Sequence, residues 1–246
     1  MELFLILFLI PPLVIIQTIV GVGVLVLGTP ALLLLNYNII DAIDLLLPVS
    51  IFTSFLNVTI FSKYNFKKIE KKKYKYFFMI CIPGILIGLK SLEIFQKSIN
   101  FEILVSLIIL ISLYLKLLAK GKLIKLSNIK KKIIIFITGV VHGLTNSGGS
   151  ILALFISSGS NNKNQINFDI SLFYFLLASV QYLTFVIIFG SNFQKGFIFE
   201  LTIVIFVSVF VGNKINAKFS NRIFQMLLNL IVFISAISLI LKNLSI

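Results

Sequence analysis

His142-Gly143-Leu144-Thr145-Asn146-Ser147-Gly148-Gly149-Ser150 sits inside an apolar stretch running from Ile133 to Ser158. A second such run, Gly21-Val22-Gly23-Val24-Leu25-Val26-Leu27-Gly28-Thr29-Pro30, sits inside the apolar stretch Leu3 to Leu35. A membrane helix needs about 20 apolar residues, so either stretch is long enough to enter a bilayer. The first would reach roughly 50 Å as one straight helix at 1.5 Å per residue, well beyond the hydrocarbon core. Glycine and proline at its middle are the residue types that interrupt a helix, which predicts a break there and another at Gly143, Gly148 and Gly149. Non-helical backbone at that depth is tolerated only where it is buried in protein or lines a cavity.

The rest of the chain has the same character. Of 246 residues, 59% are hydrophobic and 12% charged, with a mean hydropathy of +1.09. Soluble domains carry about twice that share of charge. The composition predicts an all-α polytopic membrane protein and excludes a soluble enzyme, a disulfide scaffold and a disordered chain. The single cysteine, Cys81, lies in an apolar run and has no partner for a bridge. The net charge of +14 does not point to nucleic acid, because the cations fall between apolar spans, where they orient a protein in lipid.

Eight segments are predicted: Leu3–Leu35, Leu45–Ser62, Tyr74–Leu89, Phe101–Leu118, Ile133–Ser158, Phe168–Gly190, Phe197–Gly212 and Ile223–Leu241. Met1-Glu2 supplies no basic leader and no small-residue cleavage site follows, so the first segment is expected to be retained. Seven lysines lie in each of the stretches 63–75 and 116–132, which places both on the cytoplasmic side of the cell (inner) membrane. With eight simple crossings that face collects 16 of the 22 basic residues. If the first and fifth segments dip in and return instead, the split is 18 against 4, somewhat cleaner. The first and fifth segments are therefore expected to be broken or re-entrant.

A shift of 124 residues aligns the second half on the first: Gly88, Lys90 and Asn57 fall on Gly212, Lys214 and Gln181. The chain is thus expected to hold a first four-segment repeat over 1–118, a basic linker over 119–132 and a second repeat over 133–246. Duplication of this kind is typical of secondary transporters, whose substrate site lies near the midplane between repeats.

A half-helix starting at a break offers amide groups and the positive end of its dipole to an anion. The candidate substrate-binding residues are Gly21, Gly23, Thr29 and Pro30 at the first break and His142, Thr145, Asn146, Ser147, Gly148 and Gly149 at the second. Ser150 adds a further hydroxyl there. Asn57 and Gln181 either face the cavity, with Ser54, Ser179 and Thr184 near them, or bond between helices. The glycines, read otherwise, only permit close helix packing, and His142, the only histidine, is a hydrogen-bonded structural group in the alternative reading. Tyr174 and Tyr182 are expected to be packing residues. The eight acids, Glu2, Asp41, Asp44, Glu70, Glu93, Glu102, Asp169 and Glu200, fall at segment ends or in loops. That disfavours a carboxylate-based proton or metal pump. No catalytic constellation, metal cluster or cofactor motif is present in the pattern, so no enzyme is expected.

The Gly21-x-Gly23 run to Thr29-Pro30, the Gly143-Leu144-x-Asn146-x-Gly148-Gly149 run and the four-plus-four duplication resemble the sulfite exporter TauE/SafE family, over nearly the whole chain. The resemblance implies transport of a small sulfur-containing or organic anion such as sulfite or a sulfonate, in the direction of export, with membrane lipid as the other partner. Alternating access would then move the two repeats about the glycine breaks. The competing class is a non-transporting membrane scaffold or assembly partner.

Overall fold

Helix α1 (Ile10–Val20) opens on Pro11 and Pro12, which cost nothing in a first turn whose amides have no helical partner. A single π-helical turn, Leu5–Leu9, precedes it. It stops at Gly21, which takes the left-handed conformation (φ 84°) and donates its N–H to the Gln17 carbonyl at 2.7 Å. The structure, a computed structural model, describes residues 5–65, 71–119, 128–157, 163–191, 198–218 and 220–244. After α1 come α2 (Val24–Leu34), α3 (Ile39–Asn65), α4 (Lys71–Phe95), α5 (Phe101–Ala119), α6 (Asn128–Thr145), α7 (Gly148–Ser157), α8 (Lys163–Phe189), α9 (Ile198–Lys218) and α10 (Asn221–Leu244). The regular elements among the described residues are all helical.

Side chains mark several starts. Asn38 accepts the Asp41 N–H at 2.9 Å and donates to the Asp41 carboxylate at 2.6 Å, closing the first turn of α3. Asn100 does the same for α5 through the Ile103 N–H, at 3.1 Å. Helices overrun the apolar stretches at their ends: α6 takes in Lys130 and Lys132, both exposed. Long lysine stems let a helix continue past the apolar layer while the charge stays in water. The central parts of the stretches 63–75 and 116–132, residues 66–70 and 120–127, lie outside the described residues.

The two long helices α3 and α8 run antiparallel through the middle. Ser191, just past the end of α8, donates to the Asp44 carboxylate near the start of α3 at 2.8 Å, and Phe55 meets Phe175 midway, with ring centroids 5.8 Å apart. Leu46, Leu47, Val49, Phe173, Leu177 and Ala178 on this pair are fully buried or nearly so. The broken segments flank them. Helix α6 lies against α4, and α1 lies against α9.

Glycine decides the α4–α6 contact. A Cβ at Gly84 would sit 2.6 Å from the Phe136 carbonyl, and one at Gly88 would run into the Val140 carbonyl. On the facing helix, added Cβ atoms at Gly139 and Gly143 would strike the carbonyls of Cys81 and Ile85. Two small-xxx-small stretches thus meet backbone to backbone, the geometry by which membrane helices associate when lipid removes the hydrophobic driving force. Gly212 on α9 approaches Thr18 on α1 in the same way, its Cβ position 2.9 Å from the threonine Cβ.

Large apolar side chains cover the outside, Ile187 being 84% exposed and Phe199 73%. Among the described residues four helices are long and apolar enough to cross a bilayer, Ile39–Phe61, Phe77–Phe95, Asn164–Phe189 and Ile198–Lys218, with shorter apolar helices besides. An apolar exterior over a polar-containing interior is what a lipid solvent selects.

Candidate functional site

Both breaks turn the chain back on itself. Gly23 is extended (φ 179°), a conformation open to any residue, but a Cβ there would lie 2.6 Å from the Gln17 nitrogen and 2.8 Å from the Leu13 carbonyl. Gly28, further along α2, faces Leu13 again, so α2 doubles back beside α1. At the second break a Cβ on Gly148 would lie 2.5 Å from the Thr138 carbonyl and 2.8 Å from the His142 nitrogen. Asn146 there adopts φ 61°, left-handed like Gly21, and donates its N–H to the His142 carbonyl at 2.9 Å. Asparagine tolerates this region better than other residues with a Cβ.

The two turns are held differently. In the first, the buried Gln17 carboxamide accepts the Val24 N–H at 3.0 Å, capping the start of α2, and donates to Ser54 on α3 at 3.0 Å. Asn167 on α8 donates to the Ile19 carbonyl at 3.2 Å, tying off the end of α1. In the second, Gln181 on α8 donates to the His142 carbonyl at 3.0 Å and to Asn146 Oδ1 at 2.9 Å. Tyr174 places its hydroxyl where a Cβ of Gly149 would stand, and its ring meets the His142 ring edge-on at 6.1 Å between centroids.

The expected site residues separate on this basis. His142, Asn146, Gly148, Gly149 and Gln181 come together around the start of α7. Gly21 and Gly23 are buried at the first break, Thr29 and Pro30 are buried inside α2 rather than at the break where they were expected, and Asn57 lies one turn beyond Ser54 on α3. The hydroxyls are largely spent locally. Thr145 donates to the Val141 carbonyl (2.9 Å) and Ser147 to the Thr145 carbonyl (3.2 Å), while Ser150 reaches the Ser147 carbonyl (2.8 Å) and Ser112 (2.9 Å). Ser179 and Thr184 return to carbonyls of their own helix, as hydroxyls in membrane helices do. Three contributors were not among the expected site residues: Gln17, Ser50 and Tyr174. A glutamine four residues before a glycine break was the available signal for Gln17.

What remains is a set of fully buried polar atoms with no partner among the described residues: Thr29 Oγ1, Ser50 Oγ, both polar atoms of Asn57, both ring nitrogens of His142, Asn146 Nδ2, the Tyr174 hydroxyl and Gln181 Oε1. Each unmet group costs about 1–3 kcal/mol, so those gathered at the second break, on His142, Asn146, Tyr174 and Gln181, mark a place built to meet something polar. Asp44 and Asp169 are also buried, in the first two turns of α3 and α8. Both take part in interactions of their own.

Apolar outside and broken twice within, the fold has the form of a multi-pass membrane protein. A family model described as sulfite exporter TauE/SafE matches residues 3–239. The chain belongs to that family of membrane transporters, whose substrates are small anions such as sulfite. No curated protein and no solved structure matches the chain.

Proposed function

We propose that the protein is a secondary transporter or facilitator that exports a small sulfur-containing anion, such as sulfite, a sulfonate or a similar organic anion, across the cell (inner) membrane. The observation that carries this reading is the cluster of unpartnered, fully buried polar atoms at the second break, on His142, Asn146, Tyr174 and Gln181. The residues proposed to line the path are Gly21, Gly23, Thr29, Pro30 and Asn57 on one side and His142, Thr145, Asn146, Ser147, Gly148, Gly149 and Gln181 on the other. Helix α7 points its positive end toward that cluster, which favours an anion without a fixed cation. An anion leaving a cell with a negative interior gains about 2.3 kcal/mol per charge per 100 mV, so export needs no coupling ion.

The proposed architecture is two inverted repeats, 1–118 and 133–246, joined by a basic linker, with the first and fifth of eight segments re-entrant. In support, α3 and α8 are both 27 residues long and begin 124 residues apart, as do the starts of α2 and α7. Re-entry also gives the cleaner charge split and puts the lysine-rich stretches 63–75 and 116–132 in the cytoplasm. Packing refines the expected motion. Since α6 is locked to α4 and α1 to α9, the chain halves are interlocked, and the bodies that move carry helices from both.

Purified full-length protein in proteoliposomes loaded with radiolabelled sulfite tests the proposal. Efflux well above that of protein-free vesicles is expected. Vesicles that release neither sulfite nor any small sulfonate would overturn it.

A further inference from the structure

The two breaks match in backbone form but differ in what occupies them. At the start of α2 the Val24 amide is met by Gln17, itself fixed by Ser54. The residue 124 positions after Gln17 is Val141, whose side chain has no acceptor to offer. Among the described residues no side chain accepts from the amides of Gly148 or Gly149. His142 and Tyr174 stand beside these two glycines and Asn146 lies in the turn before them; the His142 ring nitrogens, Asn146 Nδ2 and the Tyr174 hydroxyl are buried and unpartnered among the described residues. The first break meets its leading amide with its own glutamine, and the second supplies no such acceptor among the described residues.

Among the described residues, this second position offers only neutral groups and a helix terminus equivalent to about half a unit charge. Among the described residues, the charged side chains on the surrounding helices are engaged elsewhere or exposed. Lys90 pairs with Glu93 on α4, Lys242 pairs with Glu102 between α10 and α5, and Asp44 on α3 accepts from Ser191. Asp169, on α8, has interactions of its own, and Lys130 and Lys132 are exposed at the start of α6. None of them bonds to His142, Asn146 or Tyr174. The desolvation cost of an ion grows with the square of its charge, whereas its attraction to fixed dipoles grows only linearly. A dianion therefore incurs about four times the cost for about twice the return.

Resting on the transport reading above, we infer that the species bound and carried is a monoanion, held at the N-terminus of α7 by Tyr174, Asn146 and His142. Hydrogen sulfite and sulfonates meet this requirement; sulfate and the sulfite dianion do not.

Proteoliposomes of the full-length protein test it with three probes: methanesulfonate, a monoanion throughout; sulfate, a dianion throughout; and sulfite, which changes between the two near neutral pH. Taking the pH from one unit below to one unit above that ionisation cuts the sulfite monoanion about tenfold, and sulfite flux is expected to fall with it. Methanesulfonate flux is expected to stay within about twofold, and sulfate to leak no faster than from protein-free vesicles. Sulfate moving as fast as methanesulfonate, or sulfite flux rising with pH, would overturn the inference. So would a parallel fall for methanesulfonate, which would put the titration on His142 rather than on the substrate. If none of the three moves, the transport reading itself fails. Tyr174→Phe, which removes one hydroxyl, is expected to raise the half-saturating methanesulfonate concentration about tenfold with little change in maximal rate. Unchanged saturation would remove Tyr174 from the site.

Discussion

Gln181 reaches from α8 across to Asn146, its Nε2 donating to Asn146 Oδ1 at 2.9 Å, and so holds the left-handed residue at the second break from a helix 35 positions later in sequence. The same nitrogen donates to the His142 carbonyl at 3.0 Å. Gln181→Leu leaves Asn146 Oδ1 buried without a donor and is expected to cost about 1–3 kcal/mol. Gln181→Glu, which sets a carboxylate against two acceptors in a proposed anion site, is expected to lose transport more severely than it loses stability. Thermal unfolding of the purified variants, set beside their efflux rates, checks both.

At Asn146 the backbone and the side chain separate. Glycine suits φ 61° and is expected to preserve stability to within about 1 kcal/mol, whereas valine strains the turn by about 1–2 kcal/mol or more. Both variants lose the Nδ2 donor, so both are expected to transport poorly. Full transport by Asn146→Gly would show that the carboxamide serves the turn alone.

The α4–α6 contact rests on glycines whose neighbours are backbone carbonyls, which cannot swing aside. Gly88→Leu or Gly143→Leu is expected to cost at least 1–3 kcal/mol and to reduce the yield of monodisperse protein on detergent extraction. Ile87→Ala, on the exposed face of α4, is the control that should extract normally.

Lys242 ties α10 to two other helices, donating to the Leu33 carbonyl at 2.8 Å and to Glu102 at 2.9 Å. The pair is about a quarter exposed, which keeps its worth near about 1 kcal/mol. Lys242→Met is expected to lower the unfolding midpoint by a few degrees, with Lys242→Arg recovering most of the loss.

Much of this arrangement was legible in the residues. Gly21 and Gly23, and Gly148 just past the second turn, marked where the helices break, whereas Gly28 and Pro30 lie inside α2 and Gly143 inside α6, where they interrupt nothing. Asn57 and Gln181 stood out as carboxamides in apolar helices, and both are buried. What the pattern hid was tertiary. Hydropathy has no information on which helix packs against which, so the crossed pairing of α4 with α6 and of α1 with α9 was invisible, although Gly84, Gly88, Gly139 and Gly143 had the spacing for it. Thr145, Ser147 and Ser150 looked like free donors, since a sequence does not show that a hydroxyl will turn back to a carbonyl. Tyr174 looked like packing because its ring does pack; its hydroxyl acquires meaning only beside Gly149.

The central claim is a buried anion site at the start of α7, and equilibrium binding of radiolabelled sulfite to the full-length protein in nanodiscs measures it most directly. Wild-type protein is predicted to bind saturably at one site per chain, and Gly149→Ala, whose methyl would displace the Tyr174 hydroxyl, to bind at least tenfold more weakly while remaining folded. Absence of saturable binding in the wild type, or equal binding by a folded Gly149→Ala variant, would contradict the account.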